Sequence, residues 1–261
     1  MTGAVLSEKN PLVKQIRRAI TRGGLTEDGC AVAESFHLLE EALRSDCEIR
    51  VIVAAESVRS TVAAHVRGLK RTRLVSLDDA VFRELASTES PQGVLALVRP
   101  PAWTIEQLVR GRTLLIVLDG VQDPGNAGAI VRAAEAFGAT GAVFLKGAVS
   151  PYNPKCLRAS AGSLFRLPIV AAFDPSLLLA ALEQKRVALF AALPRAELLA
   201  ADAALSGRCA LVIGSEGHGV SAQLRDRAKG LRIPTHGVES LNAAVAAGVL
   251  LYEAARQRTL P

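Results

Sequence analysis

The chain has 261 residues, half of them hydrophobic, 21% charged and 4% aromatic, with a formal net charge of +6. That length suits one or two domains with a sizeable core, but no apolar run reaches the ~18–20 residues that span a bilayer, and the opening MTGAVLSEKNPLVKQIRR has no apolar secretory segment. Scattered cysteines without a C-x-x-C pair and histidines without H-E-x-x-H spacing fit reduced thiols in a cytoplasmic protein and indicate no metal, while the few aromatic rings argue against a base-stacking platform.

Residues 9–22 (KNPLVKQIRRAITR) put Leu12, Ile16 and Ile20 at helical spacing and read as a basic amphipathic helix that ends at Gly23 and Gly24. Lys9, Lys14, Arg17, Arg18 and Arg22 stand there against one acid, Glu8. Arg59, Arg67, Lys70, Arg71 and Arg73 form a second basic cluster, and Lys146, Lys155, Arg158 and Arg166 a third. Such clusters are either electrostatic footprints for a phosphate backbone or ordinary solvated surface. CAVAESFHLLEEAL then turns from extended to helical, and IRVIVAA (49–55) reads as a buried strand. A helix over 57–69, a strand at TRLVSL (72–77) and a helix over DDAVFRELAS capped by Asp78 or Asp79 follow. GVLALV (93–98) completes a small α/β domain, Pro100 and Pro101 close it, and a short helix near 104–110 leads onward. The expected organisation is a first domain over 1–101, a linker over 102–112 and a second domain over 113–261.

The second half alternates strands (114–119, 142–145, 187–191, 210–213, 230–233) with helices (127–137, 175–184, 221–228, 242–257), the pattern of a mostly parallel sheet covered on both faces. Three polar turns follow its strands. In DGVQDPGNAGAIVR, Pro124 and Gly125 make a turn, Asn126 sits at a helix N-cap position, and Arg132 projects from an apolar helix near Glu135. ALVIGSEGHGVS (210–221) holds Glu216 among Gly214, Gly217 and Gly219, a spacing that is neither a dinucleotide fingerprint nor a P-loop. In LRIPTHGVESLNAAVAAGVLLYEAARQR (231–258), Ser240 or Asn242 caps a helix whose Ala243, Ala244, Ala246, Ala247 and Gly248 let another helix approach closely, within the chain or across a symmetric interface. Each polar residue taken singly has a structural explanation. Together, the three loops should meet at the carboxyl end of one parallel sheet, where open α/β sheets bind ligands.

DPGNAGAIVRAAEAFG (123–138), LVIGSEGHGVS (211–221) and IPTHGVESLNAAVAAGVLLYEA (233–254) resemble, in order, the three motifs of the SpoU/TrmH-type RNA ribose 2′-O-methyltransferases of the SPOUT superfamily. The resemblance implies an α/β fold with a mostly parallel sheet and a C-terminal deep trefoil knot. It also implies S-adenosylmethionine as methyl donor and a homodimer formed through the knotted domain. The first hundred residues resemble the family's ribosomal-protein-like substrate domain, which makes RNA the partner, rRNA first and tRNA second. Functional roles carry over to Asn126, Arg132, Glu216, Ser240 and Asn242. Cofactor contacts carry over to Gly214, Ile233 and Leu241, helped by Ala192 and Leu193, with Gly217 and Gly219 keeping the loop slim.

Three positions depart from the family pattern: Glu34-Ser35 replaces a usual Glu-Gly, Thr235 a larger apolar residue, and Ala244 a common Ser. Methyl transfer to an alcohol needs alignment and loss of the hydroxyl proton. Family proposals make Arg132 the base, although a guanidinium with pKa above ~12 is a reluctant one. We therefore expect Arg132 to orient the hydroxyl or a phosphate and stabilise alkoxide charge, Asn126 to fix the ribose or Arg132, and Glu216 to hold Arg132 or Asn242. Ser240 and Asn242 would support the cofactor-side loop. The rival readings are a non-catalytic RNA-binding or ribosome-assembly protein on the same fold and, more remotely, a nucleotide-dependent oxidoreductase.

Overall fold

The first helix ends at Gly23 as the sequence suggests and starts at Pro11, behind an Asn10 cap, rather than at residue 9. The Asn10 side chain accepts the Leu12 N–H at 2.9 Å, Pro11 occupies the first turn, and Gly23 ends the helix at φ +64°. The computed structural model describes residues 5–69 and 72–259, so Lys70 and Arg71 of the second basic cluster lie outside the described residues. The chain divides into two compact units, one of 1–101 with 152–165 and the other of 102–151 with 166–261.

The first unit runs β1 (Val5–Leu6), α1 (Pro11–Arg22), β2 (Ala31–Glu34), α2 (Phe36–Leu43), β3 (Glu48–Ala55), α3 (Arg59–His65), β4 (Arg73–Leu77), α4 (Asp79–Leu85) and β5 (Val94–Arg99). Its sheet has the order β1-β4-β3-β5-β2, parallel through the first three strands and antiparallel through the last two pairings. Val13, Ile16 and Ala19 of α1 pack into a core with Val32, Val53, Val75, Phe82 and Leu95. Between the two candidate caps of α4, Asp78 accepts the Ala80 N–H, while Asp79 takes the Ser57 hydroxyl. Ser35, which stands where the family uses Gly, adopts φ 131°, ψ 159° and caps α2 through its hydroxyl. That backbone region is essentially reserved for glycine.

The second unit begins with α5 (Ile105–Leu108), β6 (Leu114–Asp119), α6 (Pro124–Ala136) and β7 (Gly141–Leu145). The chain then forms α7 (Pro154–Ser160) and α8 (Ser163–Arg166) before resuming the sheet. It continues with β8 (Ile169–Phe173), α9 (Pro175–Gln184), β9 (Ala188–Ala192), β10 (Cys209–Gly214), α10 (Ala222–Arg225), β11 (Lys229–Leu231) and α11 (Ala243–Thr259). All pairings in this six-stranded sheet are parallel, in the order β11-β9-β10-β6-β7-β8. From β6 the chain winds outward to β8, then returns to build β9, β10 and β11 on the other side of β6. The topological switch therefore lies between β6 and β10. One face buries Leu115, Val117, Val143 and Val212 under α5, α9 and α10, and α11 packs on α6 and β10. Small residues explain that close helix pairing: Ala127, Gly128 and Ala134 of α6 and Ala243, Ala247 and Ala254 of α11 are all buried.

Besides β1, α7 and α8 themselves, two further features were not anticipated. β8 is a five-residue edge strand with Ala171 and Ala172 exposed, too short a run to separate from loop by periodicity. Residues 152–165, expected in the second domain, pack instead with the first unit, α7 lying against β2. Their anchor is polar as well as apolar. Cys156 and Leu157 are buried. The Arg158 Nη1 donates to Ser87 Oγ at 2.7 Å, and the Ser87 N–H and hydroxyl and the Thr88 hydroxyl all donate to the buried Glu34 carboxylate. At the other end of the second unit, Arg258 of α11 donates to the carbonyls of Leu205 at 3.1 Å, Arg112 at 3.3 Å and Thr113 at 2.9 Å, and to that of Gly207. No helix among the described residues is long and apolar enough to cross a membrane.

Candidate functional site

The first polar loop is built by Asp123, not Asn126. Asp123 is the N-cap of α6, its carboxylate accepting the Asn126 N–H at 2.7 Å, and Pro124 and Gly125 are the first helical residues rather than a separate turn. The Asp-Pro pair was the signal for this start, since proline is favoured at the first helical position behind an acidic cap. The shift of three residues releases the Asn126 side chain from capping. Its Nδ2 donates to Glu216 Oε1 at 2.5 Å, and its Oδ1 accepts from Asn242 Nδ2 at 3.1 Å.

Asn242, rather than Ser240, caps α11: its Oδ1 accepts the N–H groups of Ala244 at 2.9 Å and Val245 at 3.3 Å. The result is a hydrogen-bond chain of single polarity, from the α11 N-terminus through Asn242 and Asn126 to the Glu216 carboxylate. Every donor points towards the negative charge, and the positive end of a helix dipole lies at the far end. Glu216 thus holds Asn126, not Arg132 or Asn242 as expected. Its second oxygen, Oε2, has no partner among the described residues.

The loop that presents Glu216 is closed on itself. Ser215 and Gly219 exchange backbone hydrogen bonds of 3.1 and 2.9 Å, with Gly219 at φ +66°. A Cβ on Gly214 would lie 2.1 Å from the Gly219 backbone carbon, so no side chain fits there. Gly214 is therefore the glycine that the packing requires, whereas Gly217 faces open space and keeps nothing apart. The buried Asp119, at the end of β6, fastens the loop from outside by accepting the Ser221 N–H at 2.7 Å. Sequence reasoning passed over Asp119 because it read as the last residue of an apolar strand.

Arg132 is exposed and makes no hydrogen bond or ion pair among the described residues. Glu135, its expected neighbour, instead receives a bidentate contact of 2.6 and 2.9 Å from Arg166. Ser240 is likewise exposed and unbonded. The hydrogen-bonded cluster therefore unites Asn126, Glu216 and Asn242 and leaves Arg132 and Ser240 outside it.

Ala192 and Gly214 end the adjacent strands β9 and β10, and Leu193 and Ile233 flank the strand pair β9–β11. The Leu193 N–H is used, bonded to Leu231 O at 2.9 Å. Ile233 and Leu241, both half-buried, have no protein hydrogen bond on either backbone group among the described residues. Ile233 and Leu241, with half-buried apolar side chains and open backbone donors and acceptors, and Gly214, which admits no side chain, are groups that could hold the flat, hydrogen-bonding adenosine part of S-adenosylmethionine.

The basic clusters are less free than their sequence suggests. Arg17 pairs with Glu8 at 3.2 Å and Arg18 with Glu27 at 3.0 Å. Lys9, Lys14 and Arg22 are unpaired among the described residues and leave α1 with a cationic face. The third cluster is divided, with Lys155 and Arg158 in the first unit, and Lys146, bonded to Asp174 at 3.0 Å, and Arg166 in the second. Among the described residues no group of three His, Cys, Asp or Glu side chains could hold a metal ion.

Residues 113–252 match the SpoU rRNA Methylase family, and residues 10–96 match the MRM3-like substrate binding domain. The chain is 32% identical to the 23S rRNA (guanosine(2553)-2'-O)-methyltransferase RlmP of Bacillus subtilis over 94% of this chain and 96% of that protein. Among solved structures it is similar to the SpoU methyltransferase AviRb from Streptomyces viridochromogenes in complex with AdoMet, with a TM-score of 0.87 and 28% identity over 96% of this chain and 98% of that one. A further likeness is to the AdoMet-bound rRNA methyltransferase from Sinorhizobium meliloti, with a TM-score of 0.83 and 28% identity over 99% of this chain and 98% of that one.

Proposed function

Since this chain belongs to the SpoU rRNA methylase family, we propose that its three polar loops form the site where a methyl group passes to a ribose 2′-hydroxyl. The protein is an S-adenosylmethionine-dependent RNA 2′-O-methyltransferase acting on rRNA. One observation carries the assignment of the site: the chain Asn242–Asn126–Glu216, which ties all three motifs together at the carboxyl end of the sheet, beside the open backbone of Ile233 and Leu241.

When bound, the cofactor supplies a methyl group already activated on a sulfonium, so the protein's task is alignment and charge management. Gly214, Ile233 and Leu241, with Ala192, Leu193 and Gly219, would hold it through backbone groups and apolar contact. Asn126 and Asn242 fix the loops relative to one another, and Ser240, exposed two residues before Asn242, would support the cofactor-side loop. Arg132, paired with no acid among the described residues, would bind a phosphate of the acceptor strand and stabilise negative charge on the attacking oxygen. The cationic face of α1, with Lys9, Lys14 and Arg22, adds salt-sensitive affinity for the RNA backbone.

The C-terminal segment 231–259 is the part that would close the trefoil knot. Its helix is held at its start by Asn242 and at its end by Arg258. A homodimer through this unit is supported by an exposed stripe on α11, where Val245, Val249 and Tyr252 are 52, 39 and 55% exposed. A cytoplasmic location follows from an rRNA substrate.

The test is transfer of labelled methyl from S-adenosylmethionine to rRNA lacking its modifications, with the product mapped by resistance of the linkage to alkali. A single 2′-O-methyl position is expected. Label on a base, or none, would refute the assignment.

A further inference from the structure

Resting on the reading above, the geometry points to Glu216, through its Oε2, as the acceptor of the 2′-hydroxyl proton. Asn126, Asn242 and Ser240 are neutral and stay so, which leaves Glu216 and Arg132 as the two ionisable groups among the five polar positions. A guanidinium arrives with its donors filled and has no lone pair to offer. Arg132 is exposed, and among the described residues no group pairs with its side chain.

Glu216 differs in each respect. It is a carboxylate that has no cationic partner among the described residues, in a chain of net charge +6. One oxygen is fixed by Asn126 at 2.5 Å, and the other is open. The loop behind it is pinned three times, by the Ser215–Gly219 pair, by the contact of Gly214 with Gly219, and by Asp119 through Ser221. A loop held at three points and a one-sided hydrogen bond position Glu216 while leaving one carboxylate oxygen without a partner among the described residues, so that it can take up a proton.

The chemistry balances without another reactant. As the 2′-oxygen forms its bond to the methyl carbon, its proton moves to Glu216 Oε2. The carbon–sulfur bond breaks with its electron pair staying on sulfur, which becomes a neutral thioether. Glu216 is exposed and returns the proton to water. Arg132 keeps its charge throughout and acts on the phosphate or the developing oxyanion.

The experiment uses the full chain with S-adenosylmethionine and unmodified rRNA in single turnover, together with calorimetric binding of the cofactor. Glu216→Gln can still accept the Asn126 N–H, so it removes the basic oxygen and keeps the hydrogen-bond chain. It should bind the cofactor as the parent does and transfer at least about a hundredfold more slowly. Glu216→Asp should recover part of the rate. In Glu216→Ala, added formate should restore transfer relative to chloride at equal ionic strength, a response that a purely structural role would not give. Transfer by Glu216→Gln within threefold of the parent, or an absence of formate rescue in a folded Glu216→Ala, would overturn this role alone. A parent protein that binds cofactor but leaves rRNA unmethylated would overturn the proposed function, and this role with it.

Discussion

Asn126→Asp is the sharpest probe of the hydrogen-bond chain, because it changes one atom's chemistry and almost no volume. The native amide donates to Glu216 Oε1 at 2.5 Å and accepts from Asn242 at 3.1 Å. An aspartate keeps the second bond and turns the first into an encounter of two carboxylates. At about 3.5 Å, unit charges repel by about 1 kcal/mol in bulk water and about 5 kcal/mol at the effective dielectric of a protein surface. Losing the charged hydrogen bond costs about 1.5–3 kcal/mol more.

Glu216 is exposed, which favours the screened end of that range, so about 2–4 kcal/mol in all is expected. For a unit of this size that lowers the melting temperature by about 4–16 °C. The decisive variant is Asn126→Asp combined with Glu216→Gln, in which the glutamine amide donates to the new carboxylate and both bonds return. Thermal melting of the parent, two singles and the double should yield a favourable interaction energy of at least ~1 kcal/mol. Effects that add within about 0.5 kcal/mol would show that the two side chains are not coupled, and the reasoning would fail.

Three further outcomes are expected. Gly214→Ala forces a Cβ to within 2.1 Å of the Gly219 backbone, so calorimetry should show cofactor affinity lost together with order in the 215–221 loop. Ser35→Gly relieves a backbone cost of about 1–3 kcal/mol, against a few tenths for the lost cap and about 0.4–1 kcal/mol of unfolded-chain entropy; urea unfolding should show a net gain of about 1 kcal/mol. Tyr152, whose phenol burial pushes up to about 12, with a smaller contribution from Cys47, stays neutral in the folded chain while the unfolded phenol ionises near the ordinary phenol value of 10.0. Stability should therefore fall as pH rises from that value towards the folded one, and Tyr152→Phe should flatten this part of the profile.

The parallel sheet was legible because its strands are buried on both faces and read as unbroken apolar runs, β6 (Leu114–Asp119) and β10 (Cys209–Gly214) above all. The meeting of Asn126, Glu216 and Asn242 was legible, since polar groups at three strand ends converge in such a sheet, whereas Arg132 and Ser240 stay outside that cluster. The individual partnerships were not legible. A three-residue shift in where α6 begins decides whether Asn126 caps a helix or reaches Glu216, and helix boundaries blur at that scale in local sequence. Arg132 and Glu135 stand at helical-neighbour spacing, yet Arg166, distant in sequence, takes Glu135. Periodicity likewise could not show that a buried Glu34 in β2 would reach Arg158 through Ser87, because that link joins three separate stretches of chain.

That last link bears on how the protein is made. The first unit is not finished when Pro101 leaves the ribosome, for it still lacks α7, with its buried Cys156 and Leu157 and the arginine that joins the Glu34 network. Those residues come only after α5, β6, α6 and β7 have been synthesised. At ~5–20 residues per second the interval is about 3–13 s. The nascent chain must carry an incomplete amino-terminal unit for that time, because the residues that complete it are synthesised only after the first part of the second unit.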